Sequence, residues 1–134
     1  MKWPPQYDDA YLPPDGQPYW FPQLETMDPE ERLEIILGSI RSQMGWAYAH
    51  SGLYRRMWDE AGVHPRDVRS LDDFHRVPIL SKQDIREDQA QHPPFGSNTC
   101  EDPQNIMRIH GSTGTTGAPT VLLIGRGDWH RIAN

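Results

Sequence analysis

Proline placement constrains this chain more than any other feature, because each proline lacks an amide donor and fixes its own φ, so it breaks helix interiors and central strands. There are 13 prolines and 11 glycines. They gather toward the ends. Pro4, Pro5, Pro13, Pro14, Pro18 and Pro22 are interleaved with Trp3, Tyr7, Tyr11, Tyr19, Trp20 and Phe21. This composition predicts an extended arm over residues 1–23. Its rings would form an apolar contact patch if left bare, so the arm is expected to lie against its own body or a partner. A disordered tail is the competing reading, and the ring content argues against it.

Residues 24–98 read as a helical subdomain. Asp28 offers an N-cap oxygen, Pro29 suits the first helical position, and Glu30 and Glu31 complement the positive end of the dipole. Leu33, Ile36, Leu37, Ile40, Met44 and Ala47 recur at three and four residues and form one face. Gly45 and Gly52 weaken that run. Leu53, Met57 and Ala61 begin a second stripe that Gly62 can end with a left-handed cap, so the region holds two packed helices or one kinked one. Tyr54, Met57 and Trp58 share helical spacing and are expected to be core or helix contacts. Arg55 and Arg56 face Asp59 and Glu60 at four-residue spacing, as ion pairs on a charged face would. Ser70 with Asp73, and Ser81 with Asp84, each carry capping signals, the second opening a helix over Lys82–Gln89. Asp72 and Asp73 read as a capped, solvated turn and not as a carboxylate pair for catalysis.

After Pro93, Pro94, Gly96 and Asn98 the pattern changes. Ile106–Ile109 and Thr120–Ile124 are short apolar runs that read as strands, and Asp128 is expected to cap a further helix containing Trp129, Ile132 and Ala133. Two strands alone make a marginal sheet, and the sequence stops about a turn into a helix. Residues 99–134 are therefore expected to be the start of an α/β domain in a longer protein. The fold class is a partial α/β fold: a helical N-terminal subdomain followed by a first strand–loop–strand.

Composition excludes several functions. The net charge is −6 and the pI about 5.4, which disfavours nucleic acid as a partner because phosphate backbones need a clustered positive face. No apolar run approaches a membrane span and no secretory signal is visible, so neither a membrane nor an export route is expected and the reading is cytoplasmic. Cys100 is the only cysteine, and the 6 histidines show no metal-ligand spacing, so no metal ligand is assigned.

Between the strands lies His110-Gly111-Ser112-Thr113-Gly114-Thr115-Thr116-Gly117-Ala118-Pro119. Gly114 and Gly117 let the backbone approach a ligand and turn its N–H groups inward, while Ser112, Thr113, Thr115, Thr116 and Thr120 add hydroxyls, a composition suited to a polyphosphate. A flexible surface connection is the bland alternative. A Walker loop would need Lys after its second Gly and a helix next, and a dinucleotide fingerprint needs a Gly-x-Gly pair and a helix; neither is present. Phosphate binding would thus fall to a loop between strands.

The run Ser112–Thr120 resembles the phosphate loop of the adenylate-forming acyl-CoA synthetases. Glu25-Thr26-Met27, Tyr54-Arg55-Arg56 through Glu60-Ala61-Gly62-Val63, Ser70-Leu71-Asp72-Asp73 and Val77-Pro78-Ile79-Leu80-Ser81-Lys82-Gln83-Asp84 are similar, in order and spacing, to the phenylacetate–CoA ligase branch. The resemblance implies an AMP-forming ligase using ATP, Mg²⁺ and coenzyme A: a carboxylate and ATP give an acyl-adenylate and pyrophosphate, then the thiol of coenzyme A takes the acyl group. It implies cofactor-binding roles for Ser112, Thr113, Gly114, Thr115, Thr116, Gly117 and Thr120, and places the catalytic Lys downstream of this chain, which alone is expected to be inactive.

This sequence departs from the family at Ala118, where the loop carries Lys. Lys82 is a candidate substitute, against the competing reading of a surface residue in the first turn of a capped helix. His110 is a candidate for the phosphates or the acyl pocket, against that of a structural histidine. Implied partners are the rest of the polypeptide and an aromatic or other small carboxylic acid, and an isolated piece could pair with a second copy as a homodimer. The competing function is a non-catalytic nucleotide-binding or partner-binding module derived from the family.

Overall fold

The computed structural model describes residues 16–19, 21–112 and 119–133. Most of the expected arm lies outside the described residues; its end forms a single turn, α1 (Pro22–Glu25). Helix α2 (Pro29–His50) starts as the sequence requires, with the Asp28 carboxylate accepting from the Glu30 and Glu31 amides. It passes through Gly45 unbroken. A helical glycine costs about 1 kcal/mol, and Met44 and Ala47 beside it are among the buried core residues.

The break comes at Ser51, which closes α2 by donating its amide to Ala47 O and opens α3 (Gly52–Glu60) by accepting from the Tyr54 amide. The region is thus two helices sharing one cap. Gly62, at φ +64°, ends the second in the left-handed region where a side chain would be strained. A one-turn helix, α4 (Leu71–Phe74), and the longer α5 (Lys82–Gln91) both carry full capping boxes, from Ser70 with Asp73 and Ser81 with Asp84.

The core is small. Met44, Ala47, Trp58 and Val68 are buried together, with Ile40, Tyr48, Tyr54, Met57, Val77 and Cys100 packed around them. The other end of the α2 stripe lies more open, since Leu33 and Ile36 each keep 40% of their surface exposed. The expected i,i+4 ion pairs of α3 give way to other partners. Arg55 donates to the Tyr48 and Ala49 carbonyls at the end of α2, and Arg56 reaches Asp88 on α5. Carbonyls left open at a helix end, and a buried carboxylate, hold a guanidinium better than exposed acids do.

Strands β1 (Ile106–Gly111) and β2 (Val121–Gly125) pair antiparallel, with Arg108 opposite Ile124, His110 opposite Leu122 and Gly111 opposite Val121. The chain enters α6 (Arg126–Ala133) directly from β2. Asp128 therefore lies within its first turn and is not its cap, although a carboxylate there still meets the positive end of the dipole. Trp129 of α6 lies under the Arg108 guanidinium, 3.9 Å from the ring centre. A mostly helical body followed by a two-stranded antiparallel sheet makes this a partial α/β fold.

Candidate functional site

The Gly/Thr loop leaves the sheet through a closed neck. Ser112 donates its amide to Thr120 O at 2.9 Å, and Thr120 donates its own to Ser112 Oγ at 3.1 Å. Thr120 is 3% exposed. Thr113, Gly114, Thr115, Thr116, Gly117 and Ala118 lie outside the described residues.

Helix α5 grips the outgoing side of this neck. The Gln89 amide pairs with the Val121 backbone as a neighbouring strand would, Nε2 donating to Val121 O at 2.7 Å and Oε1 accepting from Val121 N at 3.1 Å. One turn earlier, Arg86 Nε donates to Thr120 Oγ1 at 3.3 Å. Sequence reasoning missed both side chains. Their only local signal is three-residue spacing on one helix, and the contacts they make lie 32 and 34 residues away.

The helix is held in place from below by Asp88, which is 3% exposed. Its carboxylate accepts from Ser97 Oγ at 2.6 Å, from the Ser97 amide and from Arg56 Nη2 at 2.7 Å, and His92 Nδ1 lies 3.2 Å away. Burial by itself pushes this carboxyl up, but the Ser97 hydroxyl and amide, with Arg56 and His92, outweigh it and hold Asp88 below the usual carboxylate range. The Ser97 carbonyl in turn accepts from Leu53 N and Ser51 Oγ at the start of α3. Gly96 is required between them: at φ +83° a Cβ would come 2.6 Å from Asp88 Oδ2.

Lys82 is the first residue of α5, exposed and without an ion pair among the described residues. Arg86 is the α5 cation that touches the loop neck. His110 is exposed on β1, and no hydrogen bond or ion pair engages its ring among the described residues. Two clefts of about 450 and 470 Å³ run along the strand pair, and neither takes Ser112 or Thr120 into its lining. Among the described residues no group of three or more His, Cys, Asp or Glu could hold a metal ion. No helix there is long and apolar enough to cross a membrane.

No protein-family model matches the chain. It is similar to the phenylacetate-coenzyme A ligase of Thermus thermophilus, 38% identical over 102 residues that make up 75% of this chain and 22% of that protein. The Escherichia coli phenylacetate-coenzyme A ligase is 36% identical over 111 residues, 83% of this chain and 24% of that protein. Among solved structures, 2-hydroxyisobutyryl-CoA ligase in complex with 2-HIB-AMP and CoA, in the thioesterification state, overlays all of this chain and 28% of its own, at TM-score 0.89 and 48% identity. The same ligase in its postadenylation state with 2-HIB-AMP gives TM-score 0.86 and 47% identity over 96% of this chain and 26% of its own. The chain thus spans about a quarter of the length of the proteins it matches.

Proposed function

We propose, from the premise that the chain belongs to the phenylacetate–CoA ligase branch of the adenylate-forming superfamily, that it is the polyphosphate-gripping N-terminal portion of an ATP-dependent acyl- or aryl-CoA ligase. The carboxylate of a small acid attacks the α-phosphorus of ATP, forming an acyl-adenylate and releasing pyrophosphate. The coenzyme A thiol then attacks the acyl carbon, and AMP leaves with the former carboxylate oxygen.

This chain's part lies in the first step. Ser112, Thr113, Gly114, Thr115, Thr116, Gly117 and Thr120 would direct N–H and O–H donors at the β- and γ-phosphates, where charge accumulates as pyrophosphate departs. Such donors act best when already oriented, and the Ser112–Thr120 neck and the Gln89 clamp fix where the loop begins and ends. Mg²⁺, when bound, would neutralise phosphate charge beside the hydroxyls that this loop supplies. Lys82 is a further candidate for the phosphate side, and His110 a candidate for the phosphates or the acyl pocket. Residues 24–98 would form the helical subdomain and residues 99–134 the beginning of the ATP-binding domain.

The observation that carries this reading is the pinched neck of a Gly/Thr-rich loop in a chain that overlays an acyl-CoA ligase along its whole length. The test is pyrophosphate exchange into ATP by the complete protein, run over a panel of aromatic and short branched acids. Acid-dependent exchange is expected. Binding of ATP with no exchange for any acid would favour the non-catalytic module.

A further inference from the structure

We infer that Arg86 is a polyphosphate-binding residue of this loop, supplying from α5 the positive charge that the loop sequence lacks. The inference rests on the reading of the loop as a phosphate grip and adds the cation that serves it. From Gly111 to Thr120 the sequence contains no Lys or Arg, and Ala118 occupies the position where the resemblance places Lys. Within the loop itself only backbone and hydroxyl dipoles would face the several negative charges of a triphosphate.

Arg86 is placed to balance them. Its Nε bonds the hydroxyl of Thr120, the last residue of the loop, and its side chain is half-buried. Among the described residues no ion pair consumes it. The positions three and four residues away on α5 are Lys82, Gln83, Gln89 and Ala90, none of them acidic. The adjacent acids are engaged elsewhere, Glu87 by Gln83 and Asp84 by its own cap at Ser81. Among the described residues Arg86 has no carboxylate partner.

A half-buried guanidinium without a counter-ion favours an anion, and its planar fork suits phosphate oxygens through charge-assisted hydrogen bonds. Arg86 is also held where it stands, because Asp88 ties α5 to Ser97 and Gln89 ties it to Val121. Little freedom remains to be lost when an anion arrives.

Calorimetric titration of the complete protein with AMP, ADP and ATP, comparing wild type with Arg86→Met and Arg86→Lys, separates a charge role from a bracing one. Arg86→Met is expected to weaken ATP binding by about tenfold or more, the worth of one charge-assisted hydrogen bond, ADP binding by less, and AMP binding hardly at all. Arg86→Lys should recover part of the ATP affinity, and the difference between the variants should shrink as salt is raised. Equal losses for all three nucleotides would make Arg86 a brace of Thr120 and overturn the inference, as would unchanged ATP binding in Arg86→Met. If wild type binds AMP but shows no gain from added phosphates, the phosphate-grip reading itself falls.

Discussion

Trp58 holds the small core together and also carries its least satisfied atom. The ring packs against Met44, Ala47 and Val68, with Tyr54 5.3 Å away centre to centre, while the buried indole Nε1 has no hydrogen-bond partner among the described residues. Removing the ring should cost about 3–5 kcal/mol. A buried donor without a partner costs about 1–3 kcal/mol, so Trp58→Phe sheds a penalty along with some contact area. We expect urea unfolding followed by circular dichroism to place Trp58→Phe much nearer wild type than Trp58→Ala. Equal losses would mean that the indole nitrogen is satisfied in solution.

Asp88 makes a second prediction at the same scale. Its folded carboxyl titrates below its unfolded value, so its stabilisation is complete above the ordinary carboxylate pKa near 4 and fades as pH falls through the lower, folded value. The gap in unfolding midpoint between wild type and Asp88→Asn should be widest at neutral pH and close progressively in acid. A gap that stayed constant down to the acid limit would remove the charged Asp88 from the account.

At the scale of elements, α5 is the part that joins the helical body to the strand pair. Its inner side is tied through Asp88 and Ser97 to the shared cap of α2 and α3, and its outer side through Gln89 to β2. Replacing Gln89 by Leu leaves the Val121 amide and carbonyl without side-chain partners, so hydrogen exchange at Val121 should speed up while the α2 and α3 amides keep their protection. Gly96→Ala should act on the other attachment. It combines a positive φ with a 2.6 Å approach to Asp88, and where φ is positive Gly→Ala destabilises by more than the roughly 1 kcal/mol it gains at a compatible site, so we expect lower thermal stability and faster exchange around Ser97.

Which of these features the sequence reveals depends on how far apart the partners are. The caps at Asp28, Ser70 and Ser81 are readable because donor and acceptor lie within three residues, and both strands are readable from their apolar runs. Gly45 misleads because propensity is local and the burial that outweighs it is not. Asp128 misleads because a direct strand-to-helix junction moves the helix start upstream. The two ends of the Gly/Thr segment are legible from the flanking apolar runs, but their supports are not: Arg86, Gln89 and Asp88 look like ordinary polar positions on a surface helix until the fold brings Thr120, Val121 and Ser97 to them.

For the whole molecule, the decisive property is how much apolar surface this chain leaves uncovered. Ile79 is 91% exposed, Ile109 59%, Leu122 48% and Met107 47%, and the strand pair that bears Ile109, Leu122 and Met107 has two members, fewer than an independently stable sheet needs. Adenylation asks for more than a phosphate grip. The acid must be held in line with the α-phosphorus, and the adenosine must be fixed so that the grip acts on the correct bond. The described residues offer a loop neck, a cation bonded to its edge and open clefts, in a chain about a quarter the length of the ligases it matches. We therefore expect this 134-residue chain, purified by itself, to give no acid-dependent exchange of pyrophosphate into ATP under conditions where the complete protein does. Exchange by the chain alone would mean that acid and adenosine are both held within these residues, and that the bare faces of β1 and β2 contribute to holding them.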